Sequence, residues 1–364
     1  MKELLIGMVG RGIAVTSVSA YGNAQEWMPN KIRLDRWLAE NIDGYGGQSR
    51  LDRISGGQSN PTFLLHSPSM NLVLRSRPVG PTLPKAHAVD REYRVLKALQ
   101  TSKVQVPKVW ALCQDESVIG TMFYVMDFVP GRVLWDPRLT GLERDQRAAI
   151  FDSMNAMIAN IHSIDIDAVG LADYGRHSAY VERQVSRWTK QYRASEIDPN
   201  PAMNWLIDWL PHNMPKDNPT RLVHGDYRLD NVLIDPTEPR VVAVLDWELS
   251  TLGDPIADFA YHMMSWRLAP ELFRGLAGID FKEAGIPDEQ AYLARYLERT
   301  GFEYPKNWEF YLVLSMFRIA SIMQGIAKRS LEGTASNADA DEVGAKAKPI
   351  AEIAVELATK IGSR

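Results

Sequence analysis

The segment LVHGDYRLDNVLID, residues 222–235, places acidic and amide side chains between two apolar runs that favour buried strands. Asp226 and Asn231 stand at the two ends of one short loop, and Asp246 ends a further apolar run, RVVAVLDW. Oxygen ligands with few cations nearby suit Mg²⁺, which proteins hold through one or two carboxylates together with substrate phosphates. The pattern therefore predicts a Mg²⁺ site at Asn231 and Asp246, with Asp226 left to accept a proton from an attacking hydroxyl.

The same residues also have an ordinary structural interpretation. An isolated HGD is more often a turn held by an Asx-type hydrogen bond, and the offsets of Asn231 and Asp246 are what favour the chemical interpretation. His224 is expected to be a hydrogen-bonded structural histidine, and His162, in ANIHSID, a packed or capping histidine. The reactive group of this segment is therefore Asp226.

Two paired motifs, HGDYRLDN and LDWELSTLGDPIADFA, resemble the aminoglycoside phosphotransferase and choline kinase superfamily, which is related in fold to the protein kinases. The chain looks most similar to the kinase-like domains linked to acyl-CoA dehydrogenases, over residues 35–330. The resemblance implies a two-lobed α+β fold, with a small β-rich N-lobe and a larger, mainly helical C-lobe. It also implies a small-molecule kinase that uses ATP and Mg²⁺.

The resemblance carries roles to individual positions of the motifs. It implies a catalytic base, two Mg²⁺ ligands and a loop-bracing histidine, which are Asp226, Asn231 with Asp246, and His224. Asp254 and Asp258 match acidic positions that more often hold the loop and the following helix together. Asp254 follows Asp246 too closely for a protein-kinase activation loop, so a protein substrate is not expected.

A glycine-rich segment between the first two predicted strands, SGGQSNPTF, is a candidate phosphate clamp. Its small residues let backbone N–H groups approach phosphates, although an ordinary hairpin turn fits the same letters. The candidate residues are Gly56, Gly57, Ser59 and Asn60. Where a protein kinase carries a strand lysine, NLVLRSRP offers Arg75, which keeps its charge and can bind phosphate through two nitrogens. The resemblance pairs Arg75 with Glu92, and a solvated charge at a strand end is the alternative.

The segment MDFVPG, where the resemblance implies that the chain crosses between lobes, is the candidate adenine site. Backbone groups of Asp127, Phe128 and Val129 are expected to hydrogen-bond the base edge, with Met126 and Phe128 on either side of the ring. Core packing explains these apolar residues equally well.

The acceptor is predicted mainly from charge. The helical segment VERQVSRWTKQYR interleaves cations with aromatic residues, FRIASIMQGIAKR adds more cations, and one arginine lies in the catalytic loop. The candidate acceptor residues are Arg187, Trp188, Tyr192, Arg228 and Arg318. Single cations of this kind are usually solvated surface, but together with aromatic residues they favour an anionic acceptor with an apolar body. The resemblance implies a hydroxyacyl-CoA or its free hydroxy acid.

Two other functions remain open. An aminoglycoside-type antibiotic kinase would bind a polycation and would need Asp and Glu around its acceptor. A non-catalytic, nucleotide-binding pseudokinase is favoured by the arginine in place of the kinase lysine, and opposed by the presence of every acid that phosphoryl transfer needs. The partners considered are a small-molecule acceptor, a second copy in a homodimer and, through the resemblance, an acyl-CoA dehydrogenase.

Composition limits the size of the fold, the classes of partner and the cellular compartment. At 364 residues and 45% hydrophobic, the chain can bury a large core as one two-lobed unit or two domains. A formal charge of −4 and a pI near 6.0 give no general attraction to nucleic acid or to an anionic membrane. The single cysteine, Cys113, excludes an internal disulfide framework, so a reducing, cytoplasmic location is expected.

Hydrophobic periodicity predicts the elements that position these residues. Strands are favoured by LDRIS, PTFLLHS, NLVLRS, KVWALCQ and TMFYVMDFV, around a helix in KAHAVDREYRVLKALQ. Helical stretches are expected near residues 143–164, 178–194, 200–210, 255–299 and 307–330, with a hairpin of NVLID and RVVAVLDW among them. A polar loop is expected at 333–342, before a final helix.

The predicted domains are an N-terminal extension over residues 1–29, an N-lobe nucleotide clamp over 30–130 and a C-lobe over 131–364. The C-lobe is expected to contain the catalytic loop, the metal site and the acceptor cleft. The first twenty residues have the apolar run and small-residue end of a secretory signal, but Glu3 and Arg11 interrupt it, so an extension or a misassigned start is favoured. No stretch is predicted to be apolar over the ~18 residues that a membrane span requires.

Overall fold

The computed structural model describes residues 27–54, 60–80, 87–215, 219–333 and 339–361. The chain divides into two compact units, the first formed by residues up to Leu134 with Asp230–Glu248, and the second by Trp135–Leu229 with Leu249–Arg364. The first unit is built on an antiparallel sheet and the second is mainly helical, so the predicted two-lobed α+β fold is confirmed. The segment Asp230–Glu248, which the sequence places with the helical lobe, groups with the first unit.

A five-stranded antiparallel sheet forms the first unit, with the strand order β1-β2-β3-β5-β4. Its strands match the predicted ones and are β1 Arg50–Arg53, β2 Thr62–His66, β3 Asn71–Ser76, β4 Val109–Cys113 and β5 Phe123–Asp127. Helix α1 is Lys31–Asn41 and helix α2 is Val89–Leu99. Alternation of side chains along each strand gives this sheet two distinct faces.

One face of the sheet carries the core of the first unit. Its apolar side chains come from alternate positions of three strands, Phe63, Leu65, Leu72, Leu74, Phe123 and Val125. They pack with Leu34 and Leu38 of α1, which are four residues apart and therefore share one side of that helix. The same alternation places Arg75 and Tyr124, which are paired between β3 and β5, on the opposite face.

Two short antiparallel strand pairs flank the candidate catalytic loop along the chain. In the second unit, β6 Arg221–Val223 pairs with β9 Thr251–Gly253. In the first unit, β7 Val232–Ile234 pairs with β8 Val241–Val244, which is the predicted hairpin. The apolar run at β6 is predicted as a strand, but the sequence does not predict its partner, because β9 has three residues and follows no apolar run of its own.

Most helices of the second unit lie where periodicity predicts them. They are α3 Arg144–His162, α4 Tyr180–Ser195, α5 Pro201–His212, α6 Pro255–Met263, α7 Pro270–Phe273, α8 Phe281–Ala284, α9 Glu289–Thr300, α10 Trp308–Leu331, α11 Ala340–Ala345 and α12 Ala347–Ile361. Residues 334–338 of the predicted polar loop lie outside the described residues. Helix α11 begins within the remainder of that polar run, ahead of the predicted final helix.

Helix α10 packs against α4, α6, α11 and α12. Within the described part of the chain it is also the one helix whose length and composition reach those of a membrane span, with a mean hydropathy of 1.5 over an 18-residue window. The expectation that no stretch reaches this length is therefore wrong. However, 72% of that apolar window is buried inside the protein, so packing in a protein core explains its apolar character.

Candidate active site

Arg75 lies at the centre of a charge cluster in the first unit. Its Nε is 2.7 Å from Oε2 of Glu92 on α2, and its Nη2 is 2.8 Å from Oδ1 of Asp246. Glu248 is more distant, at 3.9 Å. The predicted Arg75–Glu92 pair is therefore present, and the same arginine also binds a predicted metal ligand.

Glu92 is the buried anchor of this cluster. Its carboxylate accepts hydrogen bonds from the side-chain amide of Asn60 at 2.8 Å and from the hydroxyl of Tyr124 at 3.1 Å. Burial raises the pKa of Glu92, although the charge of Arg75 acts in the opposite direction. Burial also acts to lower the pKa of Arg75. The negative charge of Glu92, with smaller contributions from nearby groups, outweighs burial, so the pKa of Arg75 is raised. The added hydrogen bonds are the kind of support that a buried ion pair needs.

The two predicted Mg²⁺ ligands lie at the same end of the β7–β8 hairpin. The N–H of Leu245 donates to the carbonyl of Asn231 at 2.8 Å, so Asn231 faces the residue that precedes Asp246. Asp246 has a φ of 61°, a left-handed conformation that Asp adopts more readily than most residues. An amide oxygen and a carboxylate oxygen are ligands that suit Mg²⁺. The residues present therefore fit the ion.

No group of three or more His, Cys, Asp or Glu side chains that could hold a metal occurs within the described ranges. A site made of one amide and one carboxylate is compatible with that finding. Mg²⁺ commonly takes its remaining ligands from water and substrate phosphates.

The catalytic loop is held by Asp258 of α6. The two carboxylate oxygens of Asp258 accept hydrogen bonds from the backbone N–H groups of His224 and Gly225, each at 2.8 Å. The next N–H, that of Asp226, donates to Nδ1 of His224 at 3.2 Å. Three successive amides are therefore fixed, and this orients the Asp226 side chain. These contacts are those expected of a loop-bracing His224.

Asp258 itself belongs to a buried polar network. Nε2 of His162 lies 3.1 Å from Asp258, and Nδ1 of His162 lies 2.6 Å from the hydroxyl of Tyr296. Burial opposes the charge of Asp258, but the hydrogen bond and charge of His162 hold its pKa below the usual range. The side chain of Asp254 caps the first turn of α6. The structural roles predicted for these residues agree with their contacts.

Arg318 of α10 holds the catalytic loop from a second direction. Its Nη2 donates to the carbonyl of Gly225 at 2.6 Å, and its guanidinium lies 4.0 Å from the centre of the Tyr261 ring. Burial, and then the charge of Asp226, raise the pKa of Tyr261 to about 12. The sequence predicts Arg318 as an acceptor contact, but its guanidinium is engaged with the loop, because periodicity does not give the direction of a side chain.

A small cavity lies next to the catalytic loop, within the second unit. Its volume is about 40 Å³, and its wall includes Trp135, Arg228, Tyr261, Phe273 and Arg274. Nη2 of Arg228 is 3.1 Å from Oδ2 of Asp226. The guanidinium of Arg274 lies 5.1 Å from the ring of Trp135 and 5.7 Å from the ring of Phe273. Burial, and then repulsion from Arg228, lower the pKa of Arg274 to about 9.

The residues predicted from the sequence do not include Trp135, Tyr261, Phe273 or Arg274 of this wall. They come from separate parts of the chain, and none belongs to a motif. Arg274 ends the four-residue helix α7 in a left-handed conformation, with a φ of 46°. A helix of one turn shows no period in sequence, so no signal was available to find it.

The predicted phosphate clamp is only partly described. Gly56, Gly57 and Ser59 lie outside the described residues. Asn60 is described, and its side chain joins Glu92 to His87, at 2.8 Å and 3.1 Å respectively. Its position therefore supports the Arg75 cluster through Glu92.

The predicted adenine contacts are constrained by the sheet. The N–H of Asp127 donates to the carbonyl of Lys108 at 2.8 Å, and the N–H of Phe128 donates to the carbonyl of Asn71 at 3.3 Å. These two donors are therefore already used within the first unit. The carbonyl groups of Asp127 and Phe128, with the backbone of Val129, are the candidates that remain for a base edge.

The predicted acceptor helix α4 divides into a buried and an exposed side. Tyr192 has no exposed surface, and its hydroxyl donates to Glu196 at 3.3 Å, so it cannot contact an acceptor in this structure. Trp188 is also buried, because it packs on the inner side of the helix. Arg187 is exposed, with its guanidinium 5.1 Å from the Trp188 ring. Of these three predicted contacts, Arg187 is the one that a ligand can reach.

Comparison with known proteins identifies relatives of the chain. Residues 50–310 match a family described as the Phosphotransferase enzyme family. Mouse acyl-CoA dehydrogenase family member 10 is 46% identical over 320 residues, which are 87% of this chain and 30% of that protein. Human acyl-CoA dehydrogenase family member 11 is 39% identical over 336 residues, which are 90% of this chain and 43% of that protein. The chain thus spans less than half the length of these relatives.

Solved structures extend the comparison. A Ralstonia eutropha protein, provisionally described as an aminoglycoside phosphotransferase, is 50% identical, with a TM-score of 0.86 and coverage of 92% of this chain and 99% of that one. A spectinomycin phosphotransferase solved with ADP and spectinomycin shares the fold, with a TM-score of 0.60 and 14% identity, over 92% of this chain and 99% of that one. The chain therefore belongs to the phosphotransferase enzyme family, with relatives among the acyl-CoA dehydrogenase family members 10 and 11, as the motifs around Asp226 and Asp246 predict.

Proposed function

We propose that this protein is a Mg²⁺- and ATP-dependent kinase that phosphorylates a hydroxyl of a small anionic molecule. Membership of the family supports a kinase-type phosphotransfer to a small molecule. The finer assignment rests on the residues of the two units and on the cavity beside the catalytic loop.

Asp226 is the proton acceptor in this proposal. Its carboxylate is oriented by the amides fixed around His224 and Asp258, and Arg228 lies 3.1 Å from it. A carboxylate in this position can accept the hydroxyl proton of the acceptor as the oxygen attacks phosphorus. The guanidinium of Arg228 gives this carboxylate a fixed charged partner on the side of the cavity.

The first unit would hold the nucleotide phosphates. Asn231 and Asp246 would bind Mg²⁺, which when present neutralises charge on the phosphates. Arg75 would bind phosphate oxygens through its planar guanidinium, with Glu92 keeping the side chain in place. In the structure Arg75 also binds Asp246, so the arginine exchanges one anionic partner for another when phosphate arrives.

The cationic and aromatic wall next to Asp226 is the observation that carries the acceptor class. Arg228 and Arg274 place two positive charges there, beside the rings of Trp135 and Phe273. An aminoglycoside is a polycation and would be repelled by such a wall, whereas an anion with an apolar body would be attracted. A hydroxyacyl-CoA or a hydroxy acid has this chemistry, and the relatives named for acyl-CoA dehydrogenases point to acyl compounds. We infer a functional link to an acyl-CoA dehydrogenase on the same ground.

An acceptor screen tests this proposal. ATP consumption is measured with hydroxyacyl-CoAs, free hydroxy acids, choline-like amines and aminoglycosides, with and without Mg²⁺. Turnover is expected with anionic acceptors and only with the metal. Arg274→Gln should raise KM for the acceptor by roughly tenfold, as the loss of one charged contact does. The matched control is Arg240→Gln, an exposed arginine paired with Asp235.

A different outcome of the screen would contradict the proposal. Turnover of a cationic acceptor that is unaffected by Arg274→Gln would support an antibiotic kinase of the aminoglycoside type instead. The contacts of the wall residues would then have a structural role alone.

A second candidate function is a non-catalytic nucleotide-binding module. The observation that favours it is the ion pair of Arg75 and Asp246, which occupies a metal ligand with an arginine. ATP binding in calorimetry, with no phosphate transferred to any acceptor in the presence of Mg²⁺, would support this function.

A further inference from the structure

An open groove of about 620 Å³ runs along α4 and the loop before it, within the second unit. Its lining residues are Arg176, Ser178, Ala179, Glu182, Arg183, Ser186, Arg187 and Lys190. Four of them are cations and one is an acid, which leaves a net charge of three positive units. We call this feature the α4 groove.

The clustering of cations in the α4 groove reduces the stability of helix α4. Arg183, Arg187 and Lys190 are spaced four and three residues apart, so they share one face of the helix. Like charges at this spacing destabilise a helix by about 0.2–0.5 kcal/mol per pair. Arg193 of the same helix instead pairs with Glu196 at 3.2 Å. In the described part of the chain, no ion pair joins the cations of the groove to a carboxylate.

The α4 groove is connected to the catalytic loop by a short series of side chains. The guanidinium of Arg187 lies 5.1 Å from the centre of the Trp188 ring, and the guanidinium of Arg318 lies 5.2 Å from the centre of the same ring. Arg318 in turn donates to the carbonyl of Gly225 and stacks on Tyr261. The groove is therefore separated from the loop by one indole ring and one guanidinium.

Charge density also favours an anionic occupant. Arg187 is exposed at the surface but has protein on one side, and this desolvation, followed by repulsion from Arg318, lowers its pKa. An anion in the groove would relieve that repulsion. Guanidinium groups bind phosphate oxygens through two parallel hydrogen bonds, which favours phosphate over a single diffuse charge.

We propose that the α4 groove binds the phosphate-bearing end of the acceptor, and that this end is the nucleotide part of coenzyme A. The proposal rests on the function proposed above, because it names the carrier of the same acceptor. Coenzyme A carries a pyrophosphate and a 3′-phosphate, which supply the negative charge that three net positive charges require. The acyl part would extend from the groove towards the wall at Arg228.

Calorimetric titration of coenzyme A into the full chain, with ADP saturating the nucleotide site, tests the proposal. Arg183→Ala and Lys190→Ala should each weaken binding by roughly tenfold, as expected for loss of one charge-assisted contact. Arg193→Ala, on the same helix but paired with Glu196, should change it by less than about twofold. Thermal melting of each variant checks that the fold is retained.

Three further ligands test which phosphate groups of coenzyme A the groove recognises. 3′-Dephospho-coenzyme A should bind more weakly than coenzyme A, and more ADP or inorganic phosphate should not displace coenzyme A. Displacement by ADP at comparable concentration would assign the groove to free nucleotide and overturn the proposal. Equal binding of coenzyme A to the wild type, Arg183→Ala and Lys190→Ala would also overturn it.

Kinetics separate this proposal from the proposed function. Arg183→Ala should raise KM for a hydroxyacyl-CoA and leave KM for the free hydroxy acid and kcat unchanged. If both acceptors are phosphorylated and neither KM changes, the groove assignment fails while the kinase function stands. If no acceptor is phosphorylated but coenzyme A binding depends on Arg183, the kinase function fails while the groove is retained.

Discussion

At the scale of single residues, the proposed chemistry depends on the orientation of Asp226 in its loop and on the charge of Arg75. The motifs name Asp226, and its N–H and the two before it are all hydrogen-bonded in the structure. The pairing of Arg75 with Glu92 is also predicted and present. By contrast, Tyr192 and Arg318 are predicted as acceptor contacts but have other partners. Tyr192 donates to Glu196, and Arg318 donates to the catalytic loop. Their directions depend on how α4 and α10 pack, which no local pattern contains.

Arg318 is expected to be a positioning residue. Arg318→Met removes the hydrogen bond to the Gly225 carbonyl, so Asp226 should lose its alignment and kcat should fall by roughly 10–10². KM for ATP should remain within about twofold of the wild type, because the nucleotide residues belong to the other unit. Arg318→Lys should restore part of kcat. An equal effect from Arg329→Met, an exposed arginine of the same helix, would contradict the positioning role.

Arg75 is expected to serve both stability and nucleotide binding. Arg75→Ala leaves the carboxylate of Glu92 buried without its counter-charge, which should cost about 3–5 kcal/mol in urea unfolding. Arg75→Lys keeps the charge but loses the planar fork, so KM for ATP should rise while most of the stability is retained. Arg77→Ala, two residues along the chain, is the control. If Arg77→Ala raised KM for ATP more than Arg75→Lys, the phosphate role would belong to Arg77.

At the scale of elements, long periodic segments are predicted and short ones are not. Strands β2, β3 and β5 show alternation, and they form the sheet as expected. Helix α1 precedes the first predicted strand and was not predicted, although Asn30 caps it and two of its leucines enter the core. Its eleven residues give only three turns, so its apolar period is weak evidence on its own.

The packing of α1 on the sheet can be tested by truncation. Leu34→Ala removes a fully buried side chain of the core, and should lower the free energy of unfolding by about 2–5 kcal/mol. Ile32→Ala is the matched control, since Ile32 is 76% exposed, and it should change the same quantity by less than about 0.5 kcal/mol. Equal urea midpoints for the two variants would show that α1 does not contribute to the core.

At the scale of the whole molecule, the two-unit organisation follows from composition and periodicity. The grouping of Asp230–Glu248 with the first unit does not follow from either. A hairpin between helical segments looks like part of a helical lobe, and only tertiary contacts such as the bridge of Arg132 to Ile234 reveal where it packs. The family match over residues 50–310 agrees with the family that the two motifs predict.

Buried histidine makes stability depend on pH. Burial lowers the pKa of His262 from 6.5 to about 4, so the folded protein keeps it neutral while the unfolded chain is protonated. The unfolded state then binds more protons, and stability should fall as pH drops from 6.5 towards 4, by roughly 3 kcal/mol for this group. His262→Gln should reduce that loss in urea unfolding at pH 7 and pH 4.5. His212→Gln, at an exposed position, is the matched control for the substitution itself.

The Asp226→Asn variant tests the proposed role of Asp226 as the catalytic base. Asp226→Asn keeps the size and much of the hydrogen bonding of the side chain but removes its proton affinity. We expect kcat for phosphoryl transfer to fall by roughly 10²–10⁴, with ATP binding by calorimetry and the melting temperature retained. Turnover by Asp226→Asn equal to that of the wild type would show that Asp226 is not the catalytic base.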